Sequence, residues 1–262
     1  MKNKTIQPLL IIPIQDIPDI SPGDDIARII AERIQVQGDV LVDNDILVIT
    51  QKVISKAEDR FVNISTIKPS RKAKRIGRVS GKNPALVELI MRESNRVLRY
   101  NDRSIIVEHK LGFVCANAGI DHSNVGRGEQ NAEDWVLLLP ADPDATAEKI
   151  RKYIENKYHI HVGVMIIDSH GRAWRYGTVG TMIGVSGMPA LVDLRGTPDL
   201  YGRALMITRV GAADELAGAA SLVMGQSAER IPAVIARGFP YALREASLSE
   251  IIRSSELDLF RK

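Results

Sequence analysis

Apolar residues in this chain fall into two kinds of pattern. Where they recur every three or four positions they predict helices. Ile26, Ile29, Ile30 and Ile34 share one face behind the helix opening Ser21-Pro-Gly-Asp-Asp25. Leu86, Leu89 and Ile90 do the same behind Asn83-Pro84, and Asp142-Pro143 starts another helix running to about Tyr158. An alanine-rich helix over Val210 to Met224 places Ala213, Leu216, Ala217, Ala220 and Met224 on one side. A terminal helix is predicted from Ser247 to Phe260. Elsewhere the apolar residues form short unbroken runs, which predict strands: Leu9 to Ile14, Asp45 to Thr50, Val97 to Tyr100, Ser104 to Glu108, Gly112 to Ala116, Val162 to Ile167, Thr178 to Val185 and Ile231 to Ile235. Gln51-Lys-Val-Ile-Ser-Lys56 reads as a continuation of the second run with polar residues mixed in. Runs of strands interrupted by helices, with short turns between Val97 and Ala116, predict an α+β fold of mixed, largely antiparallel sheets with flanking helices.

Size and composition narrow the classes. With 262 residues and 45% hydrophobic content the chain can bury a full core. It is expected to be one unit over 1–262, with a two-lobed division as the variant of that expectation. Aromatics at 5% and 35 basic against 32 acidic residues argue against nucleic-acid binding. The single cysteine, Cys115, lies in an apolar run and reads as a small buried hydrophobe, and it rules out an internal disulfide. No run approaches the roughly 18 apolar residues of a membrane span. The N-terminal apolar run is short and lacks a small-residue cleavage site, so a cytoplasmic, reduced setting is expected.

Two strand ends carry the candidate chemistry. The apolar run Phe113-Val-Cys-Ala116, read as a buried strand, stops in Asn117-Ala-Gly-Ile-Asp-His-Ser-Asn124. Val162-Gly-Val-Met-Ile-Ile167 stops in Asp168-Ser-His-Gly-Arg172. Each delivers one carboxylate, Asp121 or Asp168, among hydroxyl, amide and imidazole groups in what reads as a loop. Hard oxygen ligands of this kind suit Mg²⁺ or Mn²⁺ and a phosphate-bearing substrate, although aspartate at a strand end is also an ordinary turn former. His122 and His170 stand beside the two aspartates, and Arg172, Trp174 and Arg175 follow the second, where arginines suit phosphate or carboxylate. His159 and His161 alternate at a strand start and read as a surface pair. The basic run 68–78 reads as a solvated helix face that also favours approach of anions. Gly77-Arg-Val-Ser-Gly-Lys-Asn83 is one residue short of a Walker A loop and ends in Asn where Ser or Thr belongs. There is no G-x-S-x-G elbow and no dinucleotide fingerprint.

Taken in order, Ile17-Pro-Asp-Ile20, Gln51-Lys-Val-Ile-Ser-Lys-Ala-Glu58, Asn117 to Asn124, Asp168-Ser-His-Gly-Arg-Ala-Trp-Arg175 and Met224-Gly-Gln226 resemble the coenzyme F420-0:L-glutamate ligases. The resemblance runs from about residue 10 to 255. Lesser signatures lie between, at Leu137 to Asp144, Asp193 to Gly196, Asp199 to Arg203 and Ala213 to Leu216. It implies a reaction in which GTP phosphorylates the terminal carboxylate of a lactyl-phospho-deazaflavin, F420-0. The α-amino group of L-glutamate then attacks the acyl phosphate, giving an amide, GDP and phosphate. Addition of a second, γ-linked glutamate is within the same chemistry. It further implies two divalent ions (Mg²⁺ or Mn²⁺), stimulation by K⁺, an intertwined homodimer and a fold largely private to the family. The flavin-binding C-terminal domain of some relatives is expected to be absent.

By the same resemblance Asp121 and Asp168 hold the first ion and are the catalytic pair, and Ser169 and Gln226 contribute to the second. GTP contacts are implied for Ile17, Pro18, Asp19, Ile20, Gln51, Lys52, Lys56 and Asn124. They are also implied for the loop Met224, Gly225, Gln226, Ser227, Ala228, Glu229, Arg230 and Ile231. Gln226 stands where some relatives carry a carboxylate, and Gln51-Lys52 where some carry small hydroxyl residues. Two other readings remain open: a metal-dependent nucleotide phosphohydrolase built on the same aspartates, and a nucleotide-binding protein without chemistry.

Overall fold

The computed structural model describes residues 7–125 and 132–258. Among these described residues twelve strands follow in chain order: β1 (Leu10–Pro13), β2 (Ile46–Thr50), β3 (Phe61–Asn63), β4 (Ser94–Tyr100), β5 (Ile105–His109), β6 (Val114–Ala116), β7 (Trp135–Leu137), β8 (Gly163–Arg172), β9 (Arg175–Ser186), β10 (Val192–Asp193), β11 (Arg209–Val210) and β12 (Ala233–Arg237). Six α-helices interrupt them: α1 (Ile26–Gln37), α2 (Gln51–Ala57), α3 (Arg71–Ser80), α4 (Pro84–Arg92), α5 (Pro143–Tyr158) and α6 (Ala212–Met224). The main sheet has the order β1-β12-β2-β8-β9. Its only parallel pair among these is β2 with β8; the other neighbours are antiparallel. The sheet β4-β5-β6 and the pairs β3-β7 and β10-β11 complete the architecture, which is the expected α+β arrangement of mixed and antiparallel sheets with flanking helices.

The helices lie on both faces of the main sheet. On one face α1 and α5 cover Leu47, Ile49, Val164, Ile166 and Ile183. On the other, α6 covers Val48, Met165, Ile167, Met182 and Val185. Two glycines of β9 permit this close cover. A Cβ on Gly180 would stand 2.2 Å from the Ala217 carbonyl of α6, and one on Gly184 would stand 2.5 Å from Pro143 of α5. They reach opposite faces despite even spacing because the β8–β9 register shifts between Ile166 and Ile167. A further core lies between α3, α4 and the β4–β6 sheet, where Ala73, Ile76, Val87 and Ile90 meet Ile105, Val107 and Cys115.

Local signals account for several helix ends. Asp25 caps α1 by accepting from the Arg28 amide at 3.1 Å, and Gly38 ends it at φ 80°. Asn83 and Asp142 cap α4 and α5, each ahead of a proline in the first turn. Just before β2, Asp45 is almost fully buried and is gripped by Arg237 of β12 through two bonds of 2.8 and 2.7 Å. That bidentate pair fastens one end of the central strands.

Several expectations are corrected. Gln51–Lys56 does not extend β2; it is helix α2. Gln51, Ile54 and Ser55 are its buried residues, at helical spacing, and the Ser55 hydroxyl donates to Gln51 Oε1 at 2.8 Å. The β-branched Val53-Ile54 pair pointed to strand, and tertiary burial of one helical face prevailed. Asp168 to Arg172 are not a loop but the second half of β8, paired residue by residue with β9 as far as Arg172 opposite Arg175. Strand β6 is not buried throughout: Cys115 faces the core while Val114 and Ala116 are exposed, as suits an edge strand. His159 is no strand residue; it ends α5 in the left-handed conformation at φ 56°. The helix expected from Ser247 to Phe260 is only a short 3₁₀ turn over Leu248–Glu250, and Phe260 lies outside the described residues. There the Leu248 amide bonds Asp144 at 2.9 Å and Glu250 is held by Arg244 at 2.6 and 2.9 Å, so partners outside the segment take groups a helix would use. Its several serines are also weak helix formers.

Candidate active site

Five separate segments converge on one cleft of about 1320 Å³. They are the turn after β1, the first turns of α2, the turn after β6, the middle of β8 and the loop leaving α6. Ile17, Pro18, Asp19, Ile20, Gln51, Lys52 and Lys56 line it, with Asp121 and Asn124, Asp168 and Ser169, and the whole stretch from Met224 to Ile231. Every residue that the motifs singled out for nucleotide or metal is therefore on this one surface. His170 also lines the cleft. Trp174 stands 82% exposed at the β8–β9 turn, and neither it, Arg172, Arg175 nor His122 is among the lining residues.

Asp121 is held by its backbone and its side chain. Its amide and carbonyl both pair with Leu137 of β7, at 2.9 Å each. Oδ1 accepts from the Ser123 amide and hydroxyl, both at 2.8 Å, an Asx turn that shapes the loop. Oδ2 lies 2.7 Å from Lys52 Nζ. The approach to this turn is tightly wound: Asn117, Ala118 and Gly119 all have positive φ, at 52°, 56° and 62°. Three successive left-handed residues are a costly conformation, of the kind that surrounding structure must impose. Gly119 is required there twice over, because a Cβ would meet Leu139 at 2.7 Å.

Asp168 reaches the cleft from β8, opposite Thr181 of β9. Its Oδ2 lies 3.0 Å from His170 Nε2, two residues along the same strand. The intervening Ser169 donates its hydroxyl to Gln226 Oε1 at 2.7 Å, which ties β8 to the loop after α6. Asn124 Nδ2 donates to the Ser227 carbonyl at 3.2 Å and ties that same loop to the Asp121 turn. Glu229 accepts from the Ser227 amide at 2.8 Å, and its pKa is lowered chiefly by that bond. Lys56 is half-buried; burial first, and then the neighbouring Lys52 charge, push its pKa down, against the pull of Asp19 and Asp121. Burial also lowers His122 and raises the Cys115 thiol to about 12, so the cysteine stays protonated and inert at neutral pH.

The four cleft residues that the motifs assign to the ions, Asp121, Asp168, Ser169 and Gln226, offer two carboxylates, a hydroxyl and an amide, with His170 beside Asp168. Among the described residues no group of three or more His, Cys, Asp or Glu stands ready to hold a metal. That combination fits Mg²⁺ or Mn²⁺ bound through one or two carboxylates with substrate phosphates completing the shell, and does not fit a zinc centre. Residues that the motifs did not point to also line the cleft, notably Phe61, Thr178 and Ser221. Ser221 interrupts the alanine face of α6, where its hydroxyl donates to Gly218 and accepts from the Gly180 amide. A lone polar residue on an alanine face was the available signal. Thr178 becomes visible only once β9 is registered on β8.

A model of the F420-0:Gamma-glutamyl ligase family matches residues 15–238. The chain belongs to this family. It is 44% identical over 253 residues to the Coenzyme F420:L-glutamate ligase of Methanothermobacter thermautotrophicus, covering 96% of this chain and 98% of that one. The protein of the same name from Methanopyrus kandleri is 43% identical, with 92% and 93% covered. That of Methanococcus maripaludis strain C6 is 47% identical over 221 residues, with 84% and 86% covered. Among the described residues no helix is long and apolar enough to cross a membrane.

Proposed function

We propose that this chain is a GTP-dependent ligase that joins the terminal carboxylate of coenzyme F420-0 to the α-amino group of L-glutamate, releasing GDP and phosphate. The observation that carries the reading is the meeting of all five motif segments at one cleft. The near full-length match to relatives called Coenzyme F420:L-glutamate ligase supports the choice of substrates.

Phosphoryl transfer asks mainly for positioning and charge neutralisation, which this cleft can supply without a side-chain nucleophile. Lys52 and Lys56, one turn apart on α2, bring positive charge to the nucleotide phosphates. The loop Met224–Ile231 folds against the nucleotide, held in place by Asn124 and Ser169. Asp121 and Asp168 would hold the first divalent ion, and Ser169 and Gln226 would contribute oxygens to the second. Bound Mg²⁺ or Mn²⁺ would neutralise charge on the phosphates and orient the γ-phosphoryl group for in-line transfer. The F420-0 carboxylate takes that group and GDP leaves. The glutamate amine then forms the amide bond at the acyl carbon, loses a proton, and expels phosphate. Stimulation by K⁺ and addition of a second, γ-linked glutamate belong to the same reading.

A homodimer is part of the proposal. Trp174, Tyr176, Leu200, Tyr201, Met206 and Ile207 are large apolar side chains, all strongly exposed. A second copy covering them would remove that surface from water. Sedimentation is expected to show a dimer, and an active monomer at micromolar concentration would contradict it.

The function is tested by GDP release with Mn²⁺ present. Sustained GDP release over many turnovers is expected only when F420-0 and glutamate accompany GTP. Equal release from GTP alone would favour a phosphohydrolase, and no turnover with every substrate present would favour a binding protein.

A further inference from the structure

We infer that Lys52 is an internal cation of the cleft: its ammonium occupies Asp121 until a divalent ion takes that carboxylate, and then passes to a phosphate of the nucleotide. The inference rests on the reading of the cleft as a metal and nucleotide site.

The geometry around the ammonium is that of a filled cation position. Lys52 Nζ lies 2.7 Å from Asp121 Oδ2, 2.6 Å from the Ser123 carbonyl and 3.3 Å from the Ser123 hydroxyl. Three oxygens thus meet the three donors of one ammonium. Asp121 Oδ1 is already engaged by the Ser123 amide and hydroxyl, so Oδ2 is the oxygen left for an ion, and Lys52 sits on it. A divalent ion on Oδ2 would bind at about 2.1 Å. Two cations drawn to one oxygen would then stand only about 4 Å apart and repel. One of them has to leave, and the lysine is on a flexible four-carbon stem.

Where the ammonium goes follows from α2. Lys52 and Lys56 are four residues apart on this helix and both line the cleft, so they share the face turned to it. A nucleotide phosphate within reach of Lys56 is within reach of a Lys52 released from Asp121. Metal without nucleotide must therefore displace an ammonium that gains nothing in return. Metal with nucleotide displaces one that gains a phosphate, so the two ligands bind with positive coupling.

The test is calorimetry of Mn²⁺ with the nucleotide-free protein. The pair is partly exposed, with the two side chains 25% and 20% accessible. Its removal in Lys52→Met is expected to tighten Mn²⁺ binding on the order of fivefold. Lys52→Arg, which keeps a cation on Asp121, is expected to bind as the unaltered protein does. With GTP and Mg²⁺ together the order reverses, and Lys52→Met is expected to bind GTP on the order of tenfold more weakly. A purely structural lysine would move both affinities in one direction.

Mn²⁺ binding in Lys52→Met that is unchanged, weaker or undetectable overturns the inference. A reading that needs no variant is the ¹⁵N-ammonium resonance of Lys52 in the unaltered protein. It is expected to shift and saturate with Mg²⁺, and an unmoved signal at metal saturation would overturn the inference as well. Asp121→Asn separates the two levels. If it binds Mn²⁺ normally the metal reading of the cleft fails; if it loses Mn²⁺ while Lys52→Met changes nothing, only the role of Lys52 fails.

Discussion

Asp121→Asn removes one negative charge while keeping the shape of the side chain. Its Oδ1 can go on accepting from the Ser123 amide and hydroxyl, so the turn that the carboxylate shapes is expected to survive. What changes is the other side, where an amide would meet the Lys52 ammonium in place of Oδ2. That ion pair is partly exposed, and such pairs contribute about 0.2–1 kcal/mol. At about 2–4 °C per kcal/mol for a domain near this size, the melting temperature is expected to fall by no more than about 4 °C. Activity should fall far more. Even groups one step removed from a metal typically cost about 10- to 100-fold on mutation, so loss of a direct ligand is expected to lower kcat/KM at least about a hundredfold. Glutamate-dependent GDP formation, run beside a thermal melt and a Mn²⁺ titration, reads all three quantities. A variant that melts as expected but retains activity within tenfold of the unaltered protein would refute the placement of Asp121 at the metal.

Lys56→Met is expected to raise the KM for GTP about ten- to a hundredfold, the equivalent of one charge-assisted bond, with far less change for glutamate; an unchanged GTP KM in a folded variant would take Lys56 out of the nucleotide site. Asp45→Ala removes the buried acceptor of Arg237, whose own side chain is partly exposed, and is expected to cost about 1.5–3 kcal/mol, read as a urea midpoint shift; a loss below about 0.5 kcal/mol would show that the pair does not fasten the strands. His109 is buried, its Nε2 has no hydrogen-bond partner among the described residues, and burial lowers its pKa to about 4. The unfolded chain binds that proton near pH 6.5, so folding stability is expected to fall as pH drops from about 6.5 to about 4, by up to about 3 kcal/mol from this residue. In His109→Phe that part of the slope should vanish, and an unaltered slope would assign it elsewhere.

The legible part of the molecule was the part where local signals and tertiary structure agree. Asp25, Asn83 and Asp142 each announce a helix by a capping side chain, and all three helices are present. The strand order of the β4–β6 sheet followed from its short turns. The segments around Asp121 and Asp168 were singled out from residue types, carboxylates beside hydroxyls and amides after apolar runs, and both reach the one cleft. Gln51–Ala57 was opaque for a physical reason: its β-branched centre favours a strand, and only burial of Gln51, Ile54 and Ser55 on one face makes it a helix. That error mattered, since the helix sets Lys52 and Lys56 on the same side of the cleft. Residues 168–172 looked like a loop because they are polar, yet β9 pairs them into a strand, and 168–171 line the cleft. The Lys52–Asp121 contact joins residues 69 positions apart, and no local pattern encodes it.

The central claim is that the F420-0 carboxylate is activated as an acyl phosphate before glutamate is joined to it. It is tested most directly with F420-0 carrying ¹⁸O in its terminal carboxylate, incubated with GTP, glutamate and Mn²⁺, and with both products weighed by mass spectrometry. The account predicts, from F420-0 labelled at both carboxylate oxygens, a product that has gained one glutamyl residue and kept one ¹⁸O atom, with the other ¹⁸O atom in the inorganic phosphate released. Phosphate free of label, alongside F420-0 that has gained no glutamate, would contradict it.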